Sequence, residues 1–262
     1  MLYFNTRPDP SCEDSLAAAR QAYPDKFVTE REAFSRIHRG DRIFIGTACG
    51  EPQYLVNALV DYVARQPDAF YDTEVFHVWT LTEPRYAASR FARNFRANAL
   101  FIGNQDRAAV NKGFADYTPV FLSRVPELVR RRLIPIEVAI IQVSSPDAHG
   151  YMSLGVSVDI TKAAVTAARL VIAQVNAVLP RVHGDSFVHI DEVSCLITHD
   201  EPILEYRAAQ EPDPAAEQIG RYVARIIESG DTLQIGYGDI PSAILANLPR
   251  DKASRHSHRI AH

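Results

Sequence analysis

Apolar positions come in short runs along this chain, and the runs alternate between two spacings. Residues 42–45, 73–79, 99–102, 136–144 and 170–175 are apolar or alternating segments of strand length, and 187–197 reads as a strand pair. The run at 136–144 is apolar nearly throughout, as parallel strands covered on both faces tend to be. Between these runs the apolar spacing changes to three and four. Residues 16–22, 30–37, 52–65, 85–95, 126–132 and 212–229 then read as helices, with a further helix through Ala168 capped by Asp159. Thr29-Glu-Arg-Glu supplies a capping box for the second of these. Strands alternating with helices predict an α/β fold with a mainly parallel sheet flanked by helices.

The last such unit carries the most chemistry. Residues 232–235 read as a short strand, Gly236 and Gly238 allow a tight turn, and Pro241 suits the first turn of a helix. Strand, glycine turn and helix N-terminus together form a cradle for phosphate, built from backbone N–H groups and the helix dipole. The same turn is common as plain structure. It is no dinucleotide fingerprint, because Pro241 and Ser242 stand where the third glycine would fall.

Composition narrows the partners. With 262 residues, 47% hydrophobic and 23% charged, the chain can bury a proper core. A net charge of -4 gives no basic footprint for nucleic acid, which favours a small-molecule partner. No apolar run is long enough for a membrane span, and the N-terminal residues read as no signal peptide. Cys12, Cys49 and Cys195 are odd in number and far apart, which fits a cytoplasmic protein. Cys49, in Gly46-Thr-Ala-Cys-Gly, reads as a small thiol beside a turn before it reads as a nucleophile. The nine histidines form no spaced pair with a third ligand, so no metal site is read.

Four stretches, in this order, go beyond a generic α/β pattern. They are Asp116-Tyr-Thr-Pro-Val-Phe-Leu-Ser, then Ser144-Ser-Pro-Asp-Ala-His-Gly-Tyr-Met-Ser-Leu-Gly-Val-Ser-Val-Asp, then Gln174-Val-Asn-Ala-Val-Leu-Pro-Arg-Val-His-Gly-Asp-Ser-Phe-Val-His-Ile, and Gly236-Tyr-Gly-Asp-Ile-Pro-Ser-Ala-Ile-Leu. Together they resemble the acetyl-CoA hydrolase/transferase family, which includes acetate and 4-hydroxybutyrate CoA-transferases. The resemblance implies ping-pong chemistry on acyl-CoA and a short-chain carboxylate, with no permanently bound cofactor. A glutamate attacks the thioester, an anhydride forms, CoA is held as a glutamyl thioester, and a second carboxylate takes it. Water as acceptor gives hydrolysis instead. Gly236, Tyr237, Gly238, Asp239 and Ile240 match the family's CoA-contacting segment, and a homo-oligomer is expected.

Other residues keep two readings. Arg181 is positioned in sequence to meet a carboxylate or a CoA phosphate, and His183 reads equally as a substrate contact or a structural hydrogen-bonding residue. Asp147, His149 and Gly150 read first as a turn. Ser186, His183 and Asp185 are too close in sequence to make a triad, and no Gly-x-Ser-x-Gly elbow accompanies them.

In the family the glycine turn is followed some two dozen residues later by the catalytic glutamate, in a stretch like Leu-Gly-Ile-His-Thr-Glu. Here no glutamate lies beyond Glu228, so no catalytic residue is assigned. Read one nucleotide later, degenerate codons for residues 253–262 permit that stretch, with its glutamate in the register of Arg259. The division expected is an N-terminal arm and first helix (1–26), a family N-terminal domain (27–248) and an aberrant tail (249–262) produced by a frameshift, with the second domain missing. A coding sequence unable to give that glutamate in the shifted frame would defeat this expectation. The rival is a non-catalytic CoA-binding module.

Overall fold

The structure is a computed structural model that describes residues 10–206 and 213–248; the tail expected at 249–262 lies outside them. The chain divides into two compact units, Met1–Leu204 and Glu205–His262, so the division falls inside the segment expected as one domain.

In the first unit the strands are β1 (Arg42–Ile45), β2 (Thr73–His77), β3 (Phe95–Ala99), β4 (Ala115–Tyr117), β5 (Val138–Val143), β6 (Tyr151–Ser153), β7 (Leu170–Val175), β8 (Phe187–His189) and β9 (Cys195–Thr198). Its helices are α1 (Pro10–Ala22), α2 (Glu30–Phe34), α3 (Gln53–Arg65), α4 (Asn104–Asn111), α5 (Val125–Arg130) and α6 (Thr161–Ala167). Seven strands form one sheet in the order β4-β3-β2-β1-β5-β7-β9, and every pairing in it is parallel. This is the α/β architecture that the apolar pattern predicts. β6 and β8 pair antiparallel in a separate ribbon.

Alternate side chains of the sheet enter two cores. On one face Ile43, Ile45, Val75, Val138, Ile140 and Ile172 meet Phe34 of α2 and Leu55, Leu59 and Val63 of α3. On the other, Phe44, Phe76, Ile141, Val171 and Ala173 meet Val125 and Val129 of α5 and Ala164 and Val165 of α6. Burial on both faces explains why β5 and β7 are fully buried along their length. The Thr29–Glu32 capping box forms as its sequence predicts. Asp159 accepts from the amides of Ile160 and Thr161 ahead of α6.

Several elements depart from the pattern. The helix expected at 85–95 is two short 3-10 turns, Arg85–Ala87 and Ser89–Phe91, separated by extended Ala88, and Phe95 already begins β3. Buried Tyr86 and Phe91 gave that stretch its apolar spacing, but each is pinned into the core by its own turn. β3 therefore occupies 95–99 in place of 99–102, with Arg96 exposed between buried Phe95 and Ala97. The strands within 187–197 belong to different sheets and do not pair with each other. α1 starts at Pro10, six residues before the helix expected at 16–22.

The second unit holds α7 (Pro214–Ile226) and α8 (Asp239–Ala246). Asp213 caps α7 by accepting from the amide of Ala215. The helices pack closely at Gly220, where a Cβ would stand 2.6 Å from the Ala243 carbonyl oxygen. The strand expected at 232–235 is absent as an element, leaving one bridge position at Thr232.

Candidate active site at the sheet switch point

β1 lies between β2 and β5, so the winding of the sheet reverses at the β1/β5 junction. In open α/β sheets ligands bind outside the carboxyl ends of the strands at such a point. Here a continuous polar network fills that position. Glu51 follows the Ala48–Gly50 turn after β1 and is 2% exposed. Its Oε2 is 2.6 Å from Thr80 Oγ1, and its Oε1 accepts from Thr82 Oγ1 at 3.1 Å, both threonines lying beyond β2. The Glu51 carbonyl accepts from Gln142 Nε2 of β5 at 3.1 Å. Gln142 Oε1 in turn accepts from Asn176 Nδ2, beyond β7, at 2.6 Å. Asn176 Nδ2 also donates to the Glu201 carbonyl at 2.7 Å, while Glu201 Oε1 accepts from Gln174 Nε2 and from the Tyr54 amide that opens α3. Side chains from the ends of β1, β2, β5 and β7 and from the segment after β9 are thereby joined.

The electrostatics of this floor are unusual. Burial pushes the Glu51 carboxyl up to about 7, against the Thr80 and Thr82 hydroxyls and His77, which favour the charged form. Among the described residues no lysine or arginine forms an ion pair with it. A second buried group stands beside it. The Tyr86 hydroxyl is 3.2 Å from His77 Nδ1, and His77 Nε2 is 3.2 Å from Asp106 Oδ1 of α4, without hydrogen-bond alignment. Burial, with Glu51 and Asp106 nearby, drives the Tyr86 phenol well above its ordinary range. Thr47 Oγ1, Ser145 Oγ and Gln174 Oε1, all near the carboxyl ends of β1, β5 and β7, are buried without a hydrogen-bond partner. Among the described residues no cluster of His, Cys, Asp and Glu is arranged to hold a metal ion.

Within the first unit, the loop residues singled out from sequence are not part of this network. Arg181 is engaged within the protein: it pairs with Asp147, donates to the Tyr151 carbonyl at 3.0 Å, and lies over the Phe187 ring at 4.8 Å. Burial alone would raise the Asp147 carboxyl, but the Tyr151 and His149 amides and Arg181 outweigh it and hold it below its ordinary range. Asp147 and Gly150 build a turn, with Gly150 at φ +82° and its amide bonded to the Asp147 carbonyl. His183 is exposed in the same loop. Ser186 Oγ donates to the Val182 carbonyl, and Asp185 pairs with Lys162, so no triad forms. In the second unit, Gly236, Tyr237, Asp239 and Ile240 are exposed, and Gly238 caps α8 at φ +128° and ψ −177°, a region that glycine alone enters readily. Glu51 was missed in the sequence. Its signal was a lone acid between Gly50 and Pro52, directly after the first core strand.

Residues 12–205 match the acetyl-CoA hydrolase/transferase N-terminal domain. The chain belongs to the acetyl-CoA hydrolase/transferase family. The family match ends where the first compact unit ends, and the glycine turn lies beyond it. The chain is 42% identical over 232 residues to the 4-hydroxybutyrate coenzyme A transferase of Clostridium kluyveri, covering 88% of this chain and 53% of that protein. It is 37% identical to the succinyl-CoA:acetate/propanoyl-CoA:succinate CoA transferase of Fasciola hepatica, covering 84% of this chain and 45% of that protein. The crystal structure of RipA from Yersinia pestis superposes with a TM-score of 0.78 at 26% identity, over 90% of this chain and 57% of RipA. This family member thus spans about half the length of the relatives it matches. No helix among its described residues is long and apolar enough to cross a membrane.

Proposed function

We propose that this chain carries the N-terminal part of an acyl-CoA:carboxylate CoA-transferase, in whose first unit the strand-end floor serves the acyl and carboxylate groups; that the glycine turn of the second unit contacts CoA is a separate proposal. The observation that carries the reading is family membership over residues 12–205, together with relatives named as CoA-transferases. The chemistry proposed is ping-pong transfer through a glutamyl-CoA thioester.

Two measurements test this. Acetyl-CoA and a labelled carboxylate are incubated with residues 1–262 and with a chain rebuilt past Lys252 in the shifted frame. Transfer by the rebuilt chain, whose shifted frame supplies a glutamate in the register of Arg259, is the expected result; no transfer by it would overturn the reading. Loss of acetyl-CoA in the rebuilt chain that added acetate does not accelerate would favour hydrolysis over transfer.

The glycine turn offers a separate test. A Cβ at Gly236 meets only Pro241 Cγ, at 3.7 Å, so Gly236→Ala leaves the fold undisturbed while filling space where CoA would approach. Calorimetric titration with CoA is expected to show about tenfold weaker binding for Gly236→Ala at unchanged thermal stability. Equal affinity would remove this turn from the CoA site.

A further inference from the structure

The ring formed by Glu51, Thr80 and Thr82 can be counted proton by proton. Thr80 Oγ1 lies 2.6 Å from Glu51 Oε2 and 3.2 Å from the Thr82 carbonyl, and it accepts from the Thr82 amide at 3.2 Å. Thr82 Oγ1 accepts from Gln53 Nε2 at 3.3 Å and donates to Glu51 Oε1 at 3.1 Å. With an ionised carboxylate, the single Thr80 hydroxyl proton faces two acceptors, Glu51 Oε2 and the Thr82 carbonyl. One more proton, on Oε2, resolves this: Glu51 donates to Thr80, Thr80 donates to the Thr82 carbonyl, and Thr82 donates back to Oε1. Either protonation state satisfies the three side chains; the protonated one also gives the Thr82 carbonyl a donor, and Glu51, 2% exposed, has no lysine or arginine paired with it among the described residues to hold a charge. The charged and titratable neighbours are His77 from β2, Asp106 from α4 and Tyr86 from the turn after β2. Asp106 opposes a negative charge on Glu51, and His77 favours one.

We propose that Glu51 is a positioning residue of the switch-point site and works as an uncharged acid: its proton fastens the Thr80–Thr82 loop to the turn after β1 and keeps the floor free of negative charge for an incoming carboxylate. The proton latch stands on this geometry together with the burial of Glu51 away from any paired cation. The carboxylate part rests on the transferase reading.

The latch is tested on residues 1–262 without any turnover. Infrared difference spectra at pH 6 between wild type and Glu51→Gln are expected to show a protonated carboxyl band in the wild type that the variant lacks. That band should fade as the pH passes about 7. Over the same range the protection of the Thr82 amide against hydrogen exchange, corrected for intrinsic rate, should fall about tenfold in wild type and stay level in Glu51→Gln. Absence of the band at pH 6, or level protection in the wild type, overturns the latch. The wild-type exchange measurement remains decisive should the variant fail to fold. Acetate is the probe for the second part. Its perturbation of the Gly50 and Thr82 amide resonances should need about tenfold more acetate at pH 8.5 than at pH 6 in wild type, and equal amounts in Glu51→Gln. No acetate effect at any pH, with the band present, defeats the carboxylate reading and leaves the latch standing.

Discussion

At pH 8 the Glu51→Gln variant is expected to be about 3 kcal/mol more stable than the wild type, although the substitution lies in the candidate site. The sign follows from proton linkage. Burial lifts the native carboxyl from its ordinary 4.5 to about 7, so native Glu51 holds its proton where the unfolded chain has released it. Below pH 4.5 both states are protonated and the contribution of Glu51 is fully present. It is lost as the pH rises through about 7, because the native state must then carry a buried carboxylate. Glutamine does not titrate. It keeps the acceptor for Thr82 Oγ1, and its N–H replaces the donor to Thr80, so the variants should be nearly equal at pH 4.5. The check is denaturant unfolding at several pH values, followed by fluorescence of Trp79, the single tryptophan, which is buried in this unit. Parallel stability curves for wild type and Glu51→Gln between pH 4.5 and 8 would show that Glu51 is ionised throughout.

The framework of this sheet was legible in the sequence because its physics is local. β5 read as a buried strand and β7 as a strand since every residue of Val138–Val143 and Leu170–Val175 is buried. The Thr29–Glu32 box specified its own helix start. The edge was harder to read. β4 spans three residues with two exposed, so it carries no apolar period. α4 buries Asp106, a residue that pattern reading assigns to solvent. The polar network at the switch point went unread for a related reason. Sequence reading favoured exposed, charged loop residues such as Arg181 and His183, while the switch point is built from Glu51, Thr80, Gln142 and Asn176. Their chemistry appears only when strands distant in sequence bring them together. Arg181 illustrates the converse: a cation beside Gly184 and Asp185 looked available, yet Asp147, 34 positions earlier, had already engaged it.

Asn176→Asp is expected to destabilise the first unit by about 3 kcal/mol or more at pH 7.5, lowering the melting temperature by about 6–12 °C. Asn176 is wholly buried, and both ends of its amide are in use. Nδ2 donates to Gln142 Oε1 at 2.6 Å and to the Glu201 carbonyl at 2.7 Å, while Oδ1 accepts from the Val178 amide at 3.1 Å and the Glu201 amide at 3.3 Å. An aspartate has the same shape but sets an oxygen against two acceptors, one of which, Gln142 Oε1, is buried away from water. Gln142 could flip its amide to donate, but its Nε2 would then leave the Glu51 carbonyl, which it holds at 3.1 Å. The damage therefore moves along the network and is not absorbed within it. A proton on the new carboxyl restores one donor, so the loss should shrink as the pH falls toward 5, while the loss in Asn176→Ala should stay constant. That pH dependence separates lost donation from lost packing. Equal losses for Asp and Ala at both pH values would mean that the strand ends are held by packing, and that the polar floor is a consequence of the fold and not one of its ties.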